Sequence, residues 1–461
     1  MSGHSPDFFR KYNVPGPRYT SYPTVPYWET TPSVQEWVRG ISDTLNDGDQ
    51  RGIGAAFYIH IPFCQALCTY CGCNTRITRN RAVGVPYIQT VLNEWGLYRK
   101  ELRKLGRTQP VKLSELHLGG GTPTFLSPDE LKELLNGLLS TIKVANEHEF
   151  SVEADPRVTT REHLQALAQF GFKRLSLGIQ DFDPKVQEIV HRVQSEEEVR
   201  RVTDVARELG YNSINYDLIY GLPLQTCKSV EDTIHKVMSL RPDRIAFYAY
   251  AHVPWIKPGQ RRFTEADLPS GDDKRALYEL GRGMLESAGY REIGMDHFAL
   301  ETDSLWTASV KGTLHRNFMG YTSAQVAPLI GLGVSSIGDS WGSFAQNEKS
   351  VETYQKRVEG GELPILRGHV LNEEDRVIRR HVLNLMTRMA TDWESSDQYC
   401  DYLDSVPERL SELARDGLVE LTSKSCKVNE HGRAFLRNIC MAFDARLTRK
   451  APATTLFSKT I

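Results

Sequence analysis

From residue 55 onward the hydrophobic and polar positions fall into a rhythm. Short runs rich in β-branched and aromatic residues alternate with longer amphipathic stretches. The runs at 56–61, 113–118, 150–154, 174–179, 213–219 and 244–250 predict strands, and the stretches at 86–105, 128–142, 160–170, 184–209 and 229–240 predict helices. Start signals support the helices: Ser127-Pro128-Asp129-Glu130 puts a proline in the first turn and acids beside it, where they suit the helix dipole. Six strands separated by five helices imply parallel β/α units, because parallel neighbours need a long crossover. Right-handed crossovers curl such a series into an open or closed barrel. The predicted fold class is α/β, a partial (β/α)6 barrel.

The flanking segments break this rhythm. Residues 1–50 read as an N-terminal arm whose Tyr/Pro-rich stretch 16–24, taken alone, predicts irregular chain lying on the surface. Past residue 260 the alternation weakens. Two polar and aromatic segments stand out there, Gly294-Met295-Asp296-His297-Phe298 and Leu314-His315-Arg316-Asn317-Phe318, followed by the glycine-rich 329–336. From 368 the pattern gives helices, a short β segment at 417–421, a turn and a last helix near 432–443, a small winged-helix-like unit. The expected domains are therefore an arm at 1–50, a catalytic domain at 51–367 and a mainly helical C-terminal domain at 368–461.

Unusual residues gather at the predicted C-terminal ends of the strands, the rim on which barrels of this kind carry their active sites. Four cysteines follow the first strand and Gly119-Gly120-Gly121-Thr122-Pro123 the second. Glu153 ends the third, Gln180 the fourth, Asp217 the fifth, and Ala251-His252 follow the sixth. A purely structural protein has no reason to collect such residues on one rim.

Composition narrows the classes. With 40% hydrophobic and 25% charged residues the chain is ordinary globular material, and a net charge of −2 gives no global field toward nucleic acid or anionic lipid. An anionic substrate then needs local Arg, Lys or His. Residues 1–7 are polar and lack a signal-peptide pattern, and no run of about 18 apolar residues occurs, so a soluble cytoplasmic protein without a membrane span is expected. The winged-helix-like unit shows no basic recognition stripe, so a nucleic-acid role is disfavoured.

Of eight cysteines, four crowd into ten residues: Cys64, Cys68, Cys71 and Cys73. Such a cluster in a large chain reads as a metal or redox site and not as a disulfide framework. The C-x3-C-x2-C spacing of Cys64, Cys68 and Cys71 supplies three soft thiolates in one loop. A [4Fe–4S] cluster with three protein thiolates keeps one iron open for a substrate or cofactor. The competing reading is zinc, but structural zinc generally uses two ligand pairs a dozen or more residues apart. No second pair is near, and Cys73 as a fourth ligand would crowd so tight a loop. The glycines at 119–121, after a strand, let backbone approach a ligand closely.

The loop, with aromatic Tyr70 just before its third cysteine, resembles the radical S-adenosylmethionine (SAM) superfamily. A closer resemblance, to the oxygen-independent coproporphyrinogen III oxidase family of haem biosynthesis, rests on segments spread over almost the whole chain. These include 16–24 (GPRYTSYPT), 58–73 (YIHIPFCQALCTYCGC), 118–124 (LGGGTPT), 153–157 (EADPR) and 177–182 (LGIQDF). They continue through 217–223 (DLIYGLP), 250–254 (YAHVP), 294–299 (GMDHFA), 314–318 (LHRNF), 344–347 (FAQN) and 437–443 (RNICMAF). Cys73 separates it from the related haem chaperones, whose loop resembles the three-cysteine part alone.

The resemblance implies a radical SAM barrel in which Cys64, Cys68 and Cys71 ligate the [4Fe–4S] cluster and Cys73 does not. It implies two SAM molecules. Tyr58, Gly120, Glu153 and Ile337 would contact the first; Tyr70, Gly121, Thr122, Gln180, Arg192, Asp217 and Ala251 would contact the second. Tyr70 keeps the aromatic face that the family more often supplies as Phe, and adds a hydroxyl. The implied reaction is oxidative decarboxylation of two propionates of coproporphyrinogen III to vinyls, giving protoporphyrinogen IX. Arg18, Arg316, His297 and His315 are the candidate partners of the propionates. The implied partners are a tetrapyrrole substrate and an electron-donor protein, flavodoxin-like or similar, around a monomer. Two alternatives share the loop: a radical SAM enzyme acting on haem itself, and a haem chaperone without turnover.

Overall fold

The computed structural model describes residues 6–323, 325–452 and 456–460; of the polar N-terminal segment, residues 1–5 lie outside it. All six predicted strands form: β1 (Ala55–Ile61), β2 (Lys112–Gly120), β3 (Lys143–Ala154), β4 (Phe172–Gln180), β5 (Ser213–Tyr220) and β6 (Arg244–Ala249). They lie side by side in chain order, each pair parallel. β1 is buried along nearly its whole length, as a strand covered on both faces must be.

The sheet runs on past the six in both directions. Beyond β6, the strands β7 (Tyr290–Ile293) and β8 (His297–Leu300) join antiparallel. On the far side of β1, β9 (Leu329–Leu332) adds a seventh parallel strand. Three antiparallel strands follow it: β10 (Ile337–Asp339), β11 (Ser343–Asn347) and β12 (Ile365–Val370). Among the described residues this makes one twelve-stranded sheet. The weakened rhythm after residue 260 is this switch to hairpins, which need no helix between strands.

Four of the five helical stretches form close to expectation, as Gly84–Lys104, Pro128–Leu139, Arg161–Gln169 and Cys227–Leu240. Ser127 and Glu130 make the capping box their spacing promised. The stretch 184–209 is instead two helices, Pro184–Ile189 and Glu196–Glu208. His191 takes a left-handed φ of 55°, and Ser195 starts the second helix with its own capping box to Glu198. Gln194 pins the intervening loop by donating to the carbonyl of Ile179 at 2.6 Å. Helical periodicity runs through the break, because the loop is held by these side-chain bonds and not by a proline or glycine.

The arm differs from its sequence reading. Ser33 and Glu36 cap a helix, Val34–Arg51, whose Trp37, Val38, Ile41 and Leu45 join the barrel's outer core. Tyr19 and Tyr22 are buried, in a second core with Ile378, Trp393, Leu436 and Phe443 of the C-terminal unit. That unit combines helices Glu373–Arg388, Val406–Arg415 and Leu436–Phe443 with a three-stranded sheet, Ala390–Asp392, Val419–Leu421 and Ser425–Val428. Arg437 fastens the arm by donating to the carbonyl oxygens of Pro17 (2.9 Å) and Lys459 (2.8 Å).

One carboxyl lies wholly inside the core. Glu94, on helix Gly84–Lys104, accepts from the Gly333 N–H (2.8 Å), Asn347 Nδ2 (2.6 Å) and the Tyr354 hydroxyl (2.7 Å). Burial pushes its pKa up to about 7 against the pull of these donors. The folded state thus binds a proton that the unfolded chain has released above its ordinary value near 4.5. The stabilisation this gives is complete at low pH and is lost as pH rises through about 7. The wild-type advantage over Glu94→Gln is expected to shrink by roughly 2–3 kcal/mol between about pH 5 and 7.5. Urea unfolding at both pH values measures it, and an unchanged difference contradicts the assignment.

Candidate active site: a cysteine loop over a polar barrel

The cysteine loop leaves β1 and is closed by a short parallel ladder between Phe63–Cys64 and Arg76–Ile77. Backbone and side-chain bonds then clamp it from outside. The Thr69 N–H donates to the carbonyl of Val190 (2.9 Å), Gln260 Nε2 to that of Tyr70 (3.0 Å) and Lys257 Nζ to that of Cys73 (3.1 Å).

Each of the three sulfurs has its own donors. Cys64 Sγ lies 3.4 Å from the Thr122 hydroxyl. Cys68 Sγ meets two guanidiniums, Arg192 Nη1 at 3.6 Å and Arg157 Nη2 at 3.9 Å. Cys71 Sγ accepts the Cys73 N–H at 3.4 Å, and hydrogen bonding from Cys73 brings its pKa down to about 6. Among the described residues no three His, Cys, Asp or Glu side chains converge on a single ion position. Soft donors in one loop, each offered a hydrogen bond suited to thiolate, fit an iron–sulfur cluster, whose potential such bonds tune.

The glycine turn completes the rim, and its glycines are required. A Cβ on Gly120, whose φ is +114°, would meet the His60 ring at 2.8 Å. A Cβ on Gly121 would lie 2.6 Å from the Pro62 carbonyl oxygen and 3.0 Å from Cys64 Sγ. The Gly121 and Thr122 N–H groups bond back to the carbonyls of Ile61 (2.8 Å) and Phe63 (3.0 Å), tying the turn to the loop.

Loop and turn cover a cavity of about 630 Å³ that runs down the barrel interior. Its walls reverse the usual pattern: polar residues point inward at every second position. They read Glu115 and His117 on β2; Glu149, Ser151 and Glu153 on β3; Arg174, Ser176 and Gln180 on β4; Ser213, Asn215 and Asp217 on β5. The intervening positions are mostly apolar and buried in the core beneath the helices, as Leu118, Val152, Leu177 and Ile214 show.

Eight of the eleven expected SAM contacts line this cavity: Tyr70, Gly120, Gly121, Thr122, Glu153, Gln180, Arg192 and Asp217. Tyr58, Ala251 and Ile337 do not line it. Tyr58 stacks on His117 at 5.8 Å, so it stands behind Glu153, to which His117 Nε2 is hydrogen-bonded at 3.1 Å. The Ile337 backbone packs against Gly331, the strand partner of Tyr58. Ala251 offers its carbonyl to Gln260.

Charge on the wall is arranged unevenly. Burial works to raise the Glu153 pKa, but His117 and the Gly120 N–H, which donates at 3.1 Å, bring it below the ordinary carboxylate value. Asp217 is pushed up to about 6 by burial and by Glu153, against donation from Ser176 and Asn215. Gln180 holds a left-handed φ of 68° at a bulge in β4, a strained conformation of the kind concentrated at ligand sites. Arg192 is engaged within the chain, donating to the Gly178 carbonyl (2.6 Å) and Asp155 (3.2 Å) as well as to Cys68.

The four expected propionate partners part company. His297 lines the cavity and is hydrogen-bonded through Nδ1 to Asp296 at 2.7 Å. Arg18 lies at the rim, donating to the Ala249 carbonyl. Arg316 is buried over the Tyr321 ring, its Nε and Nη1 without a hydrogen-bond partner. His315 is no cation: burial, with Arg379 nearby, drives its pKa down to about 3. Sequence reasoning passed over Asp155, Arg157 and His117, and also Tyr248, which lines the cavity. The period-2 polar pattern in β2 to β5 was the signal for His117 and the deep wall.

Comparisons with known proteins agree with this geometry. Residues 58–237 match the model of the radical SAM superfamily. The chain is 39% identical to the oxygen-independent coproporphyrinogen III oxidase of Pseudomonas aeruginosa, over 96% of this chain and 95% of that one. It is 37% identical to the Escherichia coli protein of the same name, over 96% and 95%. The solved structure of the Escherichia coli coproporphyrinogen III oxidase, described as a radical SAM enzyme, superposes with a TM-score of 0.86. That match has 36% identity and covers 93% of this chain and 97% of that chain. Cysteine loop, polar barrel and near-full-length relatives lead to one assignment: the chain belongs to the oxygen-independent coproporphyrinogen III oxidase family of the radical SAM superfamily.

Proposed function

We propose that the protein oxidatively decarboxylates two propionate side chains of coproporphyrinogen III to vinyl groups, without oxygen, yielding protoporphyrinogen IX. The observation that carries this is the near-full-length relation to enzymes of that name, joined to three thiols at the mouth of a polar cavity. When bound, a reduced [4Fe–4S] cluster and SAM supply a 5′-deoxyadenosyl radical able to take hydrogen from the propionate β-carbon.

This chain's residues hold and shield those groups. Cys64, Cys68 and Cys71 ligate the cluster. Glu153, below the ordinary carboxylate pKa, accepts from the amino or hydroxyl groups of a first SAM, beside Tyr58, Gly120 and Ile337. A second SAM would be held by Tyr70, Gly121, Thr122, Gln180, Arg192, Asp217 and Ala251; that eight of these eleven residues line one cavity supports its role as the SAM site. The barrel wall and the loop exclude water from the reacting carbon. His297, held by Asp296, receives a propionate on the cavity wall.

A flavodoxin-like protein supplies the electron, and the enzyme works as a monomer. Among the described residues no helix is long and apolar enough to cross a membrane.

Anaerobic turnover of cluster-reconstituted protein with coproporphyrinogen III, SAM, reductant and an extract as electron acceptor tests the reading. Mass spectrometry is expected to show loss of two carbon dioxide units alongside 5′-deoxyadenosine. Formation of 5′-deoxyadenosine with intact tetrapyrrole would reject the substrate, and no change in either would favour a haem chaperone.

A further inference from the structure

The outer side of the cysteine loop carries apolar side chains in water. Leu67 is 40% exposed, Val193 67%, Trp255 49% and Ile256 55%. All four belong to segments that meet at Cys68. Leu67 precedes it in the chain. Val193 follows Arg192, whose guanidinium reaches Cys68 Sγ, and His191 in the same loop bonds the Leu67 carbonyl at 2.7 Å. Trp255 and Ile256 open the turn that clamps the loop through Lys257 and Gln260. Gly259 of that turn packs on Leu67, a Cβ there lying 3.4 Å from its side chain. Leu67 also reaches the cavity mouth, whereas Val193, Trp255 and Ile256 do not line the cavity.

Cations surround this patch. Lys257, Arg261 and Arg262 follow Trp255 and Ile256 directly. Lys349 is held beside the loop by Asn74, which donates to its carbonyl at 3.0 Å. Arg79 follows Thr78, whose N–H bonds the Cys64 carbonyl. Among the described residues none of the five forms an ion pair, whereas neighbouring Arg76 is paired with Glu352 at 2.8 Å. A chain of net charge −2 thus places five cations that form no ion pair on the segments around one apolar patch.

We propose that this face docks an acidic one-electron carrier protein that reduces the cluster. The inference rests on the cluster reading above. Exposed apolar groups inside a polar rim mark a contact surface, and a basic rim steers an acidic partner and orients it. Electron-transfer complexes are small and weak, so a patch of this size suffices. One electron leaves the carrier and enters the cluster beside Cys68; no proton moves and no bond changes in the protein.

The test uses holoenzyme carrying Trp255→Ser with Arg262→Glu, and reduced flavodoxin or dithionite as alternative reductants. Cluster reduction is followed by EPR, and binding of oxidised flavodoxin by fluorescence anisotropy at two salt concentrations. With flavodoxin, the double variant is expected to reduce about tenfold more slowly and bind about tenfold more weakly, while dithionite acts equally on both proteins. Wild-type binding is expected to weaken with salt. Unchanged reduction and binding by flavodoxin would overturn the proposal. A raised tetrapyrrole KM with dithionite would overturn it too, by making the face a substrate mouth. Failure of dithionite to reduce reconstituted wild-type protein would instead remove the cluster reading itself.

Discussion

Cys68→Ser is expected to abolish SAM cleavage and tetrapyrrole turnover, while Cys73→Ser leaves both in place. Two guanidiniums, of Arg192 and Arg157, point at Cys68 Sγ, and they stabilise a sulfur carrying negative charge. A serine hydroxyl stays protonated at neutral pH and is a hard donor, unsuited to a cluster built on soft thiolates. The two cations would then face a neutral oxygen, with only Asp155 left to balance them. Asp155 holds Arg192 at 3.2 Å and Arg157 at 2.6 Å, and its own pKa is brought down to about 2 by these two arginines despite burial. Cys73, by contrast, serves Cys71 as a hydrogen-bond donor, through its thiol and its backbone N–H, and a serine keeps a side-chain donor and the N–H. Iron and acid-labile sulfide content after reconstitution, read with 5′-deoxyadenosine formation, decides between the two variants. Full cluster content and turnover in Cys68→Ser would refute the ligand assignment.

Asp303→Ala should unfold the protein more readily than any surface change, by about 3–5 kcal/mol. Its carboxylate accepts from Arg244 Nε (2.5 Å) and Ser213 Oγ (2.8 Å), and it caps helix Ser304–Lys311 through the Leu305 N–H (2.7 Å). Both partners of the ion pair are almost completely buried, at 2% and 1% side-chain exposure. Arg174 stands close by, its pKa driven down to about 9 by burial and by Arg244. Without Asp303, two guanidiniums share the floor of the barrel with one counter-charge fewer. Asp303→Asn keeps the cap on its one oxygen and can donate its amide NH2 to Ser213 Oγ, so it should lose less. Denaturant unfolding of the three proteins measures the order; a loss below about 1 kcal/mol for Ala would place the pair outside the stabilising set.

How much of this was legible follows from the kind of signal each element carries. β1 to β6 were readable because each is rich in β-branched or aromatic residues and the five helices between them must cross over the sheet. β9 was not, though it lies beside β1: it is four residues long, and nothing local in a glycine-rich run shows that it pairs with a strand some 270 residues earlier. The cysteine loop and the glycine turn were visible as spacing. The deep wall was visible in principle, since Glu149, Ser151 and Glu153 alternate with apolar residues, but alternation is usually read as a sheet with one face in solvent. Here the polar face lines a cavity and the apolar face meets helices. Glu94 was hidden, because one acid in a long amphipathic helix looks like solvent-facing charge until Gly333, Asn347 and Tyr354 are brought to it. Asp155 lies within the 153–157 segment, yet its role appears only when Arg192 arrives from the broken helix.

The clasp around Arg437 has a consequence for the order in which the molecule is finished. Tyr12, Gly16, Pro17 and Tyr19 take their partners from Asn438, Arg437 and Asp444, more than 400 residues later in the chain. Arg18, between them, touches the main chain at the end of β6. Contacts across more than 400 residues close only after everything between them has been collapsed or tethered. The barrel and its thiol loop are therefore expected to form before the arm settles against the C-terminal unit. On that order, the future cluster ligands are assembled while the rim is still open.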